Sequence, residues 1–182
     1  MQMSQPAFGK KKWDLFLSHN WGLNHLNHNK VGQLYCKLRE MGITCWFDEV
    51  DLKGEMVQSI LNGIKNSEYF VVFITKEYGD LASNKMVKEQ KGNYVQMELM
   101  TAITSHYPTQ KIITVVTEIT MKNEAQWDGK LTLFKTFKYV DYCNPMRLEK
   151  AAKDIARHAR VSSLCDFLSR NSPLPPSTLP NQ

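Results

Sequence analysis

The run Trp13-Asp-Leu-Phe-Leu-Ser-His-Asn-Trp-Gly22 ends in side chains able to do chemistry. A hydroxyl (Ser18), an imidazole (His19), a carboxamide (Asn20) and an indole (Trp21) follow five residues that read as a strand, with Gly22 as breaker. A near-continuous apolar run suits a strand buried on both faces. The loop at the carboxyl end of such a strand is where open α/β sheets bind ligands. The same residues also suit a strand that is merely capped. His19, His25 and His28 raise the question of a metal, but no Cys, Asp or Glu lies near them at ligand spacing, and the expectation is that none is bound. Carboxylates occur at Asp48, opening an acidic segment, and at Glu98, on a helical stretch.

The elements that position these groups follow from periodicity. Val31, Leu34, Tyr35 and Leu38 predict a helix over 30–41, closed by Gly42 as the residue after its C-terminus. Ile43 to Phe47 reads as the second strand, so strand, helix and strand form a parallel βαβ unit. Asp48 to Gly54 reads as a loop, and Met56, Ile60 and Ile64 mark a helix over 55–66. Tyr69 to Ile74 is one apolar β-branched and aromatic run, as a central parallel strand requires. Residues 76–92 read as a long polar connection. A helix over 93–103 follows, with Asn93 as its N-cap, Val95, Leu99, Ala102 and Ile103 buried, and Glu98 just off that face. Lys111 to Val116 and Thr136 to Val140 read as the last two strands, and Leu148, Ala152, Ile155 and Ala159 mark a helix over 146–169. Strands alternating with helices predict an α/β fold with a parallel sheet.

Composition excludes several classes. With 42% apolar and 23% charged residues in 182, the chain is expected to fold around one main core. Residues 1–11 read as a disordered leader, 12–169 as the domain and 170–182 as a Pro-rich flexible tail. No window is apolar enough to span a membrane, and no signal core is present. The four scattered cysteines then point to reduced thiols and a cytoplasmic location. A net charge of +5 with lysines spread along the chain argues against nucleic-acid binding. Neither GxGxxG nor GxxxxGK[ST] occurs, which disfavours dinucleotide dehydrogenases and P-loop enzymes. A response-regulator receiver would need an acidic pair after the first strand, whereas Asp14 sits at its start.

Four pieces in order, Leu15-Phe-Leu-Ser-His19, Gly42-Ile-Thr-Cys-Trp-Phe-Asp48, Asp51-Leu-Lys-Gly54 and Ile64-Lys-Asn-Ser-Glu-Tyr-Phe-Val-Val-Phe-Ile-Thr75, resemble a TIR (Toll/interleukin-1 receptor) domain over about residues 12–160. The end of the first strand is most similar to TIR domains of protists and other non-vertebrate eukaryotes. The resemblance implies a flavodoxin-like five-stranded sheet in the order 2-1-3-4-5, with the ligand crevice beside the first strand. Some members of the family signal only by TIR–TIR assembly, and others hydrolyse or cyclise NAD+ with release of nicotinamide. The enzymes carry a glutamate in the helix after the third strand, usually preceded by an aromatic four residues earlier, which corresponds here to Glu98 and Tyr94.

The resemblance therefore implies Glu98 as the catalytic carboxylate and NAD+ as a substrate, not a resident cofactor. A carboxylate can hold the ribose hydroxyls and stabilise the oxocarbenium character that develops as nicotinamide departs. Trp21 is expected to stack on the cationic ring, backbone amides at Ser18, His19 and Asn20 and the Lys53 ammonium to meet the phosphates, and Asp48 and Tyr94 to border the site. Other TIR domains, including further copies of this chain, are the implied partners. The alternative is a TIR interaction module without catalysis. Adaptor-type receptors tend to carry Pro-Gly where this chain has Lys53-Gly54, and many enzymes carry Trp where it has Tyr94.

Overall fold

The computed structural model describes residues 11–83, 94–135 and 137–171. Five parallel strands form one sheet in the order β2-β1-β3-β4-β5: β1 Trp13–Ser18, β2 Cys45–Trp46, β3 Ser67–Ile74, β4 Ile112–Val116 and β5 Val140–Asp141. The helices are α1 Leu26–Glu40, α2 Asp48–Asp51, α3 Met56–Lys65, α4 Lys76–Ala82, α5 Tyr94–Thr101 and α6 Leu148–Asn171. The flavodoxin-like order is the one expected.

The alternation of side chains along each strand divides the core in two. Leu15, Leu17, Tyr69, Val71, Phe73, Ile113 and Val115 face α1 and α6. Phe16, Phe70, Val72, Ile74, Ile112 and Val116 face α3, α4 and α5. Phe16 and Phe70 are register partners, as are Phe16 and Trp46, so three rings stack in one row across the sheet, with centroids 4.5 and 5.4 Å apart. Gly63 of α3 lets that helix close on the row: a Cβ there would stand 2.7 Å from the Trp46 ring. Gly42, at φ +78°, is the left-handed residue after α1, as its position predicts.

Several elements differ from expectation. The second strand shortens to Cys45–Trp46 because Asp14 intervenes at its start: its carboxylate accepts from both the backbone N–H and the hydroxyl of Thr44, each at 2.7 Å. The segment after it is the short helix α2, not a loop. The connection from 76 begins as helix α4, with Thr75 accepting from the Tyr78 N–H as its N-cap and Tyr78, Leu81 and Ala82 buried. The fifth strand is displaced to Val140–Asp141, because Phe137 and Tyr139 pack on Phe134 and Trp127 instead of joining the ladder. α1 begins at Leu26, four residues before the predicted start.

Asn93, Thr136, residues 84–92 of the polar connection, nearly all of the leader and the tail from 172 lie outside the described residues. Cys36, Cys45 and Cys143 are free thiols. Among the described residues no helix is long and apolar enough to cross a membrane.

Candidate functional site

The carboxyl ends of β1, β3 and β4 each release a small polar residue into the same region: Ser18, Thr75 and Thr117, all buried. Above them lies a cavity of about 400 Å³, bordered by His19, Trp21, Asp48, Glu77, Tyr94 and Glu98 among others. This volume falls in the lower part of the range of ligand pockets, roughly 300–1,000 Å³.

Strand alternation decides which group each of two neighbouring residues meets. Ser18 continues the face of Phe16, toward α4 and α5. Its hydroxyl donates to Glu98 Oε2 at 2.7 Å and lies 2.9 Å from the Tyr78 hydroxyl. Because the Ser18 hydrogen is committed to the carboxylate, Tyr78 must donate to Ser18. A chain of hydrogen bonds thus runs from the interior, Tyr78 to Ser18 to Glu98. His19 turns to the opposite face and meets His28 of α1, with 2.8 Å between ring nitrogens.

Glu98 is buried, not beside the buried face as its helical position suggested. Its removal is therefore not equivalent to a change at the surface. Burial pushes its carboxyl pKa up to about 8, the Asp48 charge adds to the rise, and the Ser18 hydrogen bond opposes it. Burial holds the His19 imidazole below its usual value, against the opposing pull of Asp48.

The remaining sequence-derived positions divide. Trp21 is half-exposed, lies against His28 at 4.6 Å and donates its indole N–H to Asp48 Oδ2 at 2.8 Å. Tyr94 opens α5 at the cavity wall. Asn20 borders the cavity, but its amide is occupied structurally. It donates to Glu77 at 2.9 Å and accepts from Thr75 at 2.7 Å and Asn27 at 3.1 Å. Asn27 in turn accepts from Thr117 at 3.0 Å, so this network ties the ends of three strands to α1. Lys53 lies elsewhere, in a depression with Lys12, Trp13 and Glu55. The described lining of the main cavity contains Asp48, Glu77 and Glu98 and no lysine or arginine, so it suits a cationic group better than a phosphate.

Sequence reasoning missed Tyr78, Asn27, Thr75 and Thr117, and its first helix, predicted over 30–41, left His28 outside. One signal was available for the threonines: each directly follows an apolar strand run, as Ser18 does.

Comparison with known proteins agrees with this architecture. The family model of the TIR domain matches residues 15–157. The TIR domain of the Toll-related receptor TRR-2 from the lower metazoan Hydra magnipapillata superposes with a TM-score of 0.57 at 15% identity, covering 82% of this chain and 99% of that one. A prokaryotic SEFIR domain gives 0.55 at 18% identity, covering 81% and 99%. The TIR domains of the activated Roq1 resistosome, which directly recognises the pathogen effector XopQ, give 0.53 at 18% identity, covering 80% and 98%. At these identities the likeness speaks for the fold. No curated protein matches the chain in sequence.

Proposed function

The chain belongs to the TIR domain family, and from that premise we propose that it is a signalling TIR domain that hydrolyses NAD+, or cyclises it, through Glu98. The observation that carries this reading is a buried carboxylate, held by Ser18, on the wall of an acidic cavity that also presents a half-exposed indole. In hydrolysis the bond between ribose C1′ and the nicotinamide nitrogen breaks, its electron pair leaves with neutral nicotinamide, and water adds to C1′ with release of a proton. The leaving group is already cationic and needs no general acid. The ionised Glu98 carboxylate stabilises the positive charge that grows on the ribose and accepts hydrogen bonds from its hydroxyls. Trp21 offers a face to the cationic ring, its plane fixed by the bond to Asp48. The cavity suits the ribosyl-nicotinamide end, leaving the phosphates and adenosine outside the acidic lining.

The test is release of nicotinamide from NAD+ by the purified chain, followed against pH. The ionised form of Glu98 is the active one, so kcat/KM rises with pH through an apparent pKa near the carboxyl value of about 8. Ser18→Ala removes the hydrogen bond that favours the ionised form. The rise in this variant is expected to move to higher pH, with lower activity near neutrality. A profile independent of pH between 6 and 9 (roughly the window in which such a group titrates), unchanged in Ser18→Ala, contradicts the assignment.

Assembly is a second reading with its own support. Val50, Met56 and Val57 leave 49, 41 and 43% of their surface exposed on α2 and α3, and Met56 borders the cavity. Exposed apolar residues grouped in this way fit contact with another copy. Val57→Asp is expected to reduce self-association measured by light scattering while leaving the melting temperature nearly unchanged. An assembly state equal to the parent's at matched concentrations speaks against this surface.

A further inference from the structure

His19, two residues beyond Leu17 on the α1 side of the sheet, meets groups from two other parts of the chain. Its Nε2 lies 2.8 Å from His28 Nδ1. Asp48 Oδ1 stands 3.8 Å from the first nitrogen and 3.7 Å from the second. The outer nitrogens fix the tautomers. His19 Nδ1 is 3.1 Å from the Leu17 carbonyl oxygen, which can only accept, so Nδ1 carries the hydrogen. His28 Nε2 is 3.2 Å from Glu49 Oε2, and this nitrogen donates likewise. In two neutral rings the facing nitrogens therefore both hold lone pairs. The Asp48 oxygen directs a third electron pair at the same point. Three electron-pair donors converge, and with these tautomers neither facing ring nitrogen carries a hydrogen.

We propose that His19 Nε2, His28 Nδ1 and Asp48 Oδ1 bind a divalent transition-metal ion, zinc in preference. Ligand atoms around a tetrahedral ion with bonds of about 2.0–2.1 Å stand about 3.3 Å apart. The observed separations of 2.8, 3.7 and 3.8 Å bracket that value, so shifts of about half an ångström would seat the ion. The outer partners are those that metal-bound imidazoles use: a backbone carbonyl on one ring and a carboxylate on the other. Asp48 is oriented in the same way, because Trp21 takes Oδ2 and leaves Oδ1 toward the rings. The Glu49 N–H also donates to Oδ1, at 2.9 Å, which uses one of its lone pairs and leaves another. Both imidazoles are buried, and Asp48 is largely so. Two imidazoles and one carboxylate favour zinc over magnesium or calcium, which prefer all-oxygen sites. His19 and Asp48 border the cavity, so a fourth position would open toward it. A set of three protein ligands with one open position is how zinc is held where it also binds an external group.

The test is ion binding, which involves no NAD+ turnover, so its outcome is separate from that of the Glu98 reading. Purified chain, stripped with a chelator and dialysed, is titrated with cobalt(II) chloride by absorption and with zinc chloride by calorimetry. One ion per chain is expected, with the comparatively intense visible d–d bands of four-coordinate cobalt, no thiolate charge-transfer band and a higher melting temperature in zinc. Cys36→Ser, which removes an exposed thiol, is expected to bind as the parent does. His28→Ala and Asp48→Asn are expected to weaken binding about tenfold or more, a scale that loss of even an outer partner reaches. Asp48→Asn is the decisive variant, since it keeps the side-chain size and its residue is not fully buried. Three results overturn the proposal: no stoichiometric binding by the parent, which leaves a shared proton between the rings; affinity unchanged in Asp48→Asn; or a charge-transfer band that Cys36→Ser abolishes.

Discussion

Glu98→Gln is expected to lower nicotinamide release roughly 100- to 1,000-fold or more, the loss that follows when a preorganised charge stabiliser is removed from an active site. Glutamine keeps the shape of the side chain and can still accept from Ser18, but it cannot carry the negative charge that growing positive charge on the ribose requires. The same substitution acts oppositely on stability. The folded carboxyl titrates near 8, against an ordinary value of 4.5, because burial disfavours its charge. The folded state therefore holds this proton more tightly than the unfolded chain does. Its contribution is fully present below pH 4.5 and is lost as pH rises toward and through 8. Each pH unit by which a pKa is displaced corresponds to about 1.4 kcal/mol, so the charged group costs several kcal/mol in alkaline solution. Glu98→Gln has no such cost. Its melting temperature is expected to exceed the parent's by a margin that widens from pH 6 to pH 9, roughly the span in which the group ionises. A variant that is inactive and melts lower at every pH would instead point to structural damage. One that turns over NAD+ normally would remove Glu98 from the mechanism.

Phe16→Ala is expected to cost about 3–5 kcal/mol, read as a lower urea midpoint at an unchanged slope. The ring is fully buried, lies between Trp46 and Phe70 in the aromatic row, and sits two positions before Ser18 on the same face of β1. A void there cannot be filled by the sheet, whose strands are fixed by their ladders, and α3 is already in close contact with the Trp46 ring at Gly63. Domains of this size are stable by about 5–15 kcal/mol, so the loss consumes a large share of the total. The Ser18–Glu98 bond is expected to fail along with the row, because the position of Ser18 depends on the strand beneath it. Phe16→Leu, which keeps most of the volume, is expected to lose less than half as much. A change below about 1 kcal/mol in Phe16→Ala would mean that the surroundings collapse into the space.

The sequence by itself determined the layer architecture. Leu15 to Leu17 and Tyr69 to Ile74 are apolar without interruption, and Ile112 to Val116 is apolar except for Thr114, a pattern that strands covered on both faces need. The spacing of Val31, Leu34 and Leu38 and of Leu148, Ala152 and Ile155 marks the helices that cover one of those faces. The position of Gly42 was legible because a left-handed residue is needed there. Elements that depend on a few residues were less so. The helix from Lys76 to Ala82 is hidden by its lysine and acidic residues, and only Tyr78, Leu81 and Ala82 reveal its buried side. Ser18 and Trp21 were legible at the carboxyl end of the first strand, whereas Glu98 and Tyr94 were accessible through the family resemblance, not through periodicity, which places Glu98 near the edge of a buried stripe and says nothing of what lies opposite. Tertiary structure alone decided the chemistry of the site. It brought Tyr78, 60 positions away, to Ser18, and Ser18 to Glu98 across 80 positions. It set Asp48 against two histidines that have no acidic neighbour in sequence, and it left Lys53 outside the cavity. The physical reason is that a strand fixes only which face each residue takes. Ser18 and His19 must point apart, but the partners they meet are set by the helices folded onto those two faces.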